Sequence, residues 1–135
     1  MLTHSTNFRV RYGETDQMGY VYYGNYAQYL EVGRVEWLRN IGISYKSMEE
    51  NGIILPVSNL NITYLKPAKY DDVITLKTTL VKLPTAKIEF SYELFNEQNN
   101  KLIEAKTTLV FVDVNKNRPT KAPPILIDKL IPFFT

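Results

Sequence analysis

The segment ETDQMGYVYYGNY, residues 14–26, concentrates the groups in this chain that could do chemistry. Two carboxylates, Glu14 and Asp16, stand two residues apart and are followed by Gly19 and by Tyr20, Tyr22, Tyr23 and Tyr26. A carboxylate can take a proton from water or attack a carbonyl carbon, and apolar rings beside it can wall off a site. Asp16 could equally cap a turn through local backbone bonds, Glu14 is expected to be solvated or a minor partner, and Gly19 suits either a turn or a close approach to a ligand. The tyrosines can serve as packing or as ligand contacts. What the chain lacks narrows the chemistry. It has no cysteine, which removes disulfides, thiolate zinc sites and cysteine nucleophiles together. Its one histidine, His4, lies near the N-terminus, where a solvated side chain is expected rather than a triad member, metal ligand or general base. Catalysis, if present, falls to carboxylates and backbone dipoles.

These residues need elements to hold them in place. The length of 135 residues fits one domain, residues 1–135, with enough apolar sequence (44%) for a single core. A net charge of +2 gives no electrostatic case for a nucleic-acid partner. No apolar run is long enough to span a membrane and no leader precedes the first strand, so a cytoplasmic protein is expected. Residues 6–13 alternate Phe8, Val10 and Tyr12 against Arg9 and Arg11, predicting a half-buried strand. From Gly24 to Asn40 the period changes: Tyr26, Leu30, Gly33, Trp37 and Ile41 define one face of an amphipathic helix. Asn25 with Gln28 matches a capping box and Gly42 a helix stop, giving a helix of about 17 residues, roughly 25 Å long. Residues 44–51 predict a second short helix. Four alternating strands follow, around Leu60–Tyr64, Ile74–Leu80, Ile88–Leu94 and Ile103–Phe111, with turns at 67–72, at Pro84 and at 96–101. A proline-rich basic segment then leads into a short apolar tail that reads as a terminal helix. One wet face per strand predicts a curved antiparallel sheet wrapped around the helix.

The element order, the segment YGETDQMGYVYYGNY and the Glu31/Arg34 pair three residues apart on the helix resemble the hotdog-fold thioesterases of the 4-hydroxybenzoyl-CoA thioesterase family. The resemblance covers residues 6–114. It implies an α+β hotdog fold, one long central helix wrapped by a curved five-stranded antiparallel sheet, and an acyl-CoA thioesterase that releases a carboxylic acid and free coenzyme A. It places the catalytic carboxylate on Asp16 and an oxyanion-binding backbone amide on Tyr23, at a helix start whose free N–H groups carry partial positive charge. Gly19, Tyr22, Tyr26 and Glu31 fall at substrate-binding positions, although Glu31 and Arg34 also fit an ordinary helical ion pair. Lys116, Arg118 and Lys121 could meet coenzyme A phosphates or be solvated. The family often carries histidine at the position of Tyr23, with tyrosine in its aryl-CoA branch, so this side chain bears on substrate choice. No metal or tightly bound cofactor is required, and a homodimer or homotetramer with the site at a subunit interface is expected. Two alternatives share the fold: a dehydratase acting on acyl-carrier-protein substrates, which normally needs a site histidine, and a non-catalytic module binding an apolar or acyl ligand.

Overall fold

A computed structural model describes residues 1–134, in which a five-stranded antiparallel sheet carries one long helix. Strands β1 (Leu2–Arg9), β3 (Val57–Tyr64), β4 (Val73–Leu80), β5 (Lys87–Phe95) and β6 (Lys101–Val110) lie in the order β1-β4-β5-β6-β3. A small second sheet joins β2 (Ile53–Ile54), β7 (Val112–Asp113) and β8 (Arg118–Pro119). The helices are α1 (Tyr26–Asn40), α2 (Tyr45–Glu50) and α3 (Pro124–Leu130). Among the described residues no helix is long and apolar enough to cross a membrane.

The helical spacing read from the sequence is the buried face of α1: Tyr26, Leu30, Gly33 and Trp37 are all buried and Ile41 is half-buried. Gly33 permits a close approach. A methyl group there would lie 2.5 Å from Leu76 Cδ2 and 2.6 Å from Thr78 Oγ1, so the helix rests directly on β4. Trp37 packs edge-on against Phe90, centroids 5.1 Å apart, and its indole N–H donates to the Leu2 carbonyl at 3.1 Å. Ile74, Leu76, Leu80, Ile88, Phe90, Tyr92 and Leu94 close the other side of this core. β3 stands apart from this pattern: it is a sheet edge, and Ile62 alone among its residues is even half-buried.

The structure corrects several boundaries. The first strand is Leu2–Arg9 rather than 6–13, because its ends are set by pairing with β4, from Leu2 opposite Leu80 to Arg9 opposite Val73. His4 is therefore a half-buried strand residue opposite Thr78, not a loose terminal one. Tyr12 has left the alternation for an exposed 3-10 turn, Tyr12–Glu14. The long helix begins with one 3-10 turn, Tyr23–Asn25, and only then becomes α1. The Asn25/Gln28 capping box does not form, since the Asn25 side chain donates instead to the Glu14 carbonyl at 2.8 Å. Ser44, by contrast, does cap α2, accepting from the Ser47 amide, and Gly42 ends the long helix at φ +83°. Glu31 and Arg34 are not an ion pair. Arg34 lies on the buried stripe with Leu30 and Trp37 and donates to the Tyr92 hydroxyl at 3.3 Å, while Glu31 points outward.

Candidate active site

The Asp16 turn is built by short-range bonds and then clamped from both sides. Gly19, at φ +76°, supplies the left-handed residue that lets the chain reverse, and its amide donates to the Asp16 carbonyl at 3.0 Å. The Asp16 amide donates to the Tyr20 carbonyl at 2.8 Å, and Thr15 bridges Val21 across the turn. On the far side, the Val21 amide donates to the Ala68 carbonyl and the Tyr70 amide to the Gly19 carbonyl, fixing the turn to the loop after β3.

Asp16 does cap its own turn: Oδ1 accepts from the amides of Met18 at 2.9 Å and Tyr20 at 3.2 Å. Among the described residues Oδ2 accepts from nothing, so the turn-capping role and a chemical role use different oxygens. The side chain is exposed and opens into a cleft of about 640 Å³ walled by Tyr20, Tyr22, Tyr23, Tyr26, Tyr64 and Leu65. That volume suits a small organic ligand. At the cleft's helical wall, neither the Tyr23 nor the Gly24 amide donates to another group among the described residues. Unpaired amides at a helix start favour negative charge beside them. Gly24 has a separate reason to lack a side chain, because its Cβ would fall 2.8 Å from the Tyr22 ring that lies over it. Tyr26 is buried in the wall, its ring 5.5 Å from that of Tyr64, and its hydroxyl accepts from the Ala68 amide at 3.3 Å. Burial pushes the Tyr26 hydroxyl pKa up, so it stays protonated at neutral pH.

Of the positions singled out in the sequence, Asp16, Tyr22, Tyr23 and Tyr26 thus share one cleft, and Gly19 shapes its turn. Glu31 does not reach it. It borders a separate hollow of about 320 Å³ with Arg34, Tyr45 and Glu49. Lys116, in the exposed β7–β8 turn, and Arg118, which opens β8, lie beyond the Val57 end of β3, whereas the cleft is at its Tyr64 end; seven strand steps make that roughly 23 Å. Two contributors escaped the sequence reading. Tyr64 and Leu65 enter from the far end of β3, where an aromatic ending an exposed strand was the available signal. Glu14, expected to be solvated, is among the most fully bonded side chains of the region: it accepts from the Arg11 amide at 2.8 Å, the Arg11 guanidinium at 3.1 Å and the Tyr29 hydroxyl at 3.0 Å. Burial tends to raise its pKa, but these bonds outweigh burial and hold it below the usual value.

A further hollow, about 680 Å³, lies on the outer face of the sheet around Asn61, Ser91 and Lys106. Its carboxylates are already engaged, Glu89 with Lys82 at 3.3 Å and Glu104 with Lys101 at 2.9 Å, and no helix start faces it. The Asp16 cleft is the stronger chemical site.

Comparison with known proteins agrees with this placement of the fold. Residues 10–130 match the family described as the Thioesterase-like superfamily. The Bacillus subtilis protein YneP, provisionally named an acyl-CoA thioesterase, is 36% identical over 110 residues, which is 82% of this chain and 80% of that protein. The acyl-CoA thioester hydrolase YbgC of Escherichia coli is 29% identical over 119 residues, 88% of this chain and 89% of the other. Among solved structures, a DHNA-CoA thioesterase from Staphylococcus aureus has a TM-score of 0.93 at 32% identity, with 98% of this chain and 91% of that one covered.

Proposed function

The chain belongs to the thioesterase-like superfamily and is an acyl-CoA thioester hydrolase; from that premise we propose that Asp16 is its catalytic carboxylate and the Tyr23 amide its oxyanion donor. The observation that carries the reading is the free Oδ2 of Asp16 in the same cleft as the undonated amides of the Tyr23 turn. The thioester carbonyl oxygen accepts from the Tyr23 N–H. Asp16 then either takes a proton from a water attacking the carbonyl carbon or attacks that carbon itself. Collapse of the tetrahedral species breaks the C–S bond, and the thiolate of coenzyme A leaves to be protonated; in the nucleophilic route a water then hydrolyses the acyl–aspartyl anhydride, releasing the carboxylic acid and restoring the Asp16 carboxylate. One preorganised amide donor is worth about 10²- to 10³-fold in such a step. The tyrosine walls give the acyl group an apolar surround, with Tyr22 and Tyr26 as its contacts and Gly19 keeping the turn close.

The reading extends to assembly. β3 is an edge whose Leu60 and Tyr64 are 44% and 51% exposed, and soluble proteins rarely leave such an edge unpaired. Antiparallel pairing of two β3 edges about a twofold axis places the partner's Val57 end beside this chain's Tyr64 end. The partner's basic β7–β8 turn then comes to the mouth of the Asp16 cleft, where Lys116 and Arg118 can meet coenzyme A phosphates. Glu31, distant from Asp16 within one chain, is brought nearer the shared site by the same operation. The dimer acts in the cytoplasm.

Asp16→Asn tests the assignment. The amide keeps the turn-capping oxygen but can neither accept a proton nor act as a carboxylate nucleophile. Thiol release from the best acyl-CoA in a panel of short, long, branched and aromatic thioesters should fall at least about 10²- to 10⁴-fold, with KM and melting temperature little changed. Near-normal turnover by this variant removes Asp16 from the mechanism.

A further inference from the structure

Glu14 lies outside the proposed chemistry, yet more of the site is fastened to it than to any neighbouring residue. Its carboxylate Oε1 accepts from the Arg11 amide and from the Tyr29 hydroxyl, and Oε2 accepts from Arg11 Nε at 3.2 Å and Nη2 at 3.1 Å. Its backbone carbonyl accepts twice more, from the Tyr22 amide at 2.9 Å and Asn25 Nδ2 at 2.8 Å. Arg11 is the exit from β1, Tyr22 and Asn25 flank the Tyr23 amide, and Tyr29 lies in the first turn of α1, its ring 4.9 Å from Phe8. One residue therefore ties the strand, the Asp16 turn two residues on, and the helix start together. The two halves of the site, the Asp16 oxygen and the Tyr23 amide, have no direct hydrogen bond to each other among the described residues; they are joined through Glu14, and more remotely through Ala68, which accepts from Val21 and donates to the Tyr26 hydroxyl.

We propose that Glu14 is a positioning residue for thioester cleavage: its carboxylate, held between Arg11 and Tyr29, sets the placement of Asp16 Oδ2 relative to the Tyr23 amide. The inference rests on the catalytic reading of Asp16 and Tyr23 given above. It acts through geometry alone, so it bears on the reacting complex more than on substrate affinity. A displacement of about 1 Å in such a pair lowers the rate on the order of 10²-fold. Glu14 is ionised at neutral pH because its hydrogen bonds hold its pKa below the usual value, and the Tyr29 hydroxyl, raised by burial and by this hydrogen bond, keeps its own proton.

The test compares Glu14→Gln, Glu14→Ala, Tyr29→Phe and Asp16→Asn on one acyl-CoA, with kcat, KM, a pH profile of kcat and a melting curve for each. Glu14→Gln should lower kcat about 10- to 100-fold with KM within about threefold, and Tyr29→Phe should lower it less, in the same direction. The acid limb of the kcat profile should survive in both, since neither change removes the reacting carboxylate. A Glu14→Gln enzyme that loses the limb altogether overturns the proposal, because Glu14 would then be the reacting base. So does a kcat within about twofold of the parent in both Glu14→Gln and Tyr29→Phe, variants that preserve shape should Glu14→Ala fail to fold. Normal turnover by Asp16→Asn sinks the catalytic reading itself, and with it the premise. A dead Asp16→Asn beside an unimpaired, folded Glu14→Ala removes the positioning role alone.

Discussion

The middle of the sheet and its β3 edge are written in the same alternating code but end up in opposite circumstances. In β4 and β5 every second side chain is sealed under α1: Ile74, Leu76, Leu80, Ile88, Phe90, Tyr92 and Leu94 are buried. In β3 the corresponding residues, Leu60, Ile62 and Tyr64, face the same way, opposite Thr107, Ala105 and Ile103 of β6, yet Leu60 stays exposed and Tyr64, which meets α1 only at the Tyr26 ring, stays half open. Alternation reports which way a side chain points; it does not report what covers it. The covered half of the sheet gives the fold its stability. The bare half, with the tyrosine cleft at its end, is where the proposed chemistry and assembly lie.

Three measurements press on this contrast. Leu76→Ala should have the largest effect on stability, about 2–5 kcal/mol lost by denaturant titration, because the space it leaves lies beneath Gly33 and cannot refill. Thiol release per folded molecule should be nearly unchanged well below the melting transition. Leu60→Glu should reverse that pattern: fold stability within about 0.5 kcal/mol of the parent under monomeric conditions, but a monomer mass by light scattering and a loss of turnover. If Leu60→Glu instead unfolds the chain as Leu76→Ala does, the edge is not bare and the contrast fails. The smallest effect concerns Glu14. Its folded-state pKa is lowered, so the stability it contributes is present above the ordinary glutamate value of 4.5 and is lost as pH falls through the folded value. The melting temperatures of the parent and Glu14→Gln should therefore differ at neutral pH and converge as pH falls below the ordinary glutamate value. A gap that persists at the acid end would mean that shape, not charge, makes the difference.

The long helix was legible because its stripe of Tyr26, Leu30, Gly33 and Trp37 is a local periodicity that the sheet merely accepts. Arg34 was on that stripe too, four residues after Leu30, and was misread because its charge suggested an outward partner in Glu31. The Asn25 cap failed for a related reason: a side chain able to cap was taken by a carbonyl eleven residues earlier in the chain. Two-residue strands such as β2, β7 and β8 are too short to show any period. Asp16 and Tyr23 could be named through the motif they share with a family, and the free Oδ2 and unpaired amides supply their physical sense. The bonding of Glu14 to Tyr29 spans fifteen positions and depends on how β1 meets α1, so no local pattern announced it. Tyr64 reaches the cleft only through the fold of the sheet.

Gly33 makes α1 a lever. The helix packs tightly on β4 at this residue, against the short, stiff side chain of Thr78 and the end of Leu76, so the contact serves as a fulcrum. Ten residues towards the N-terminus, an arm of roughly 15 Å, stands the Tyr23 amide. A single methyl group added at the fulcrum would lift the rod from its bearing and swing the tip away from the Asp16 turn. Mechanical tolerance at the Tyr23 end is thus machined at the middle of the molecule, and added bulk at residue 33 leaves the amide at the tip in place only if residue 76 or 78 gives up the same space.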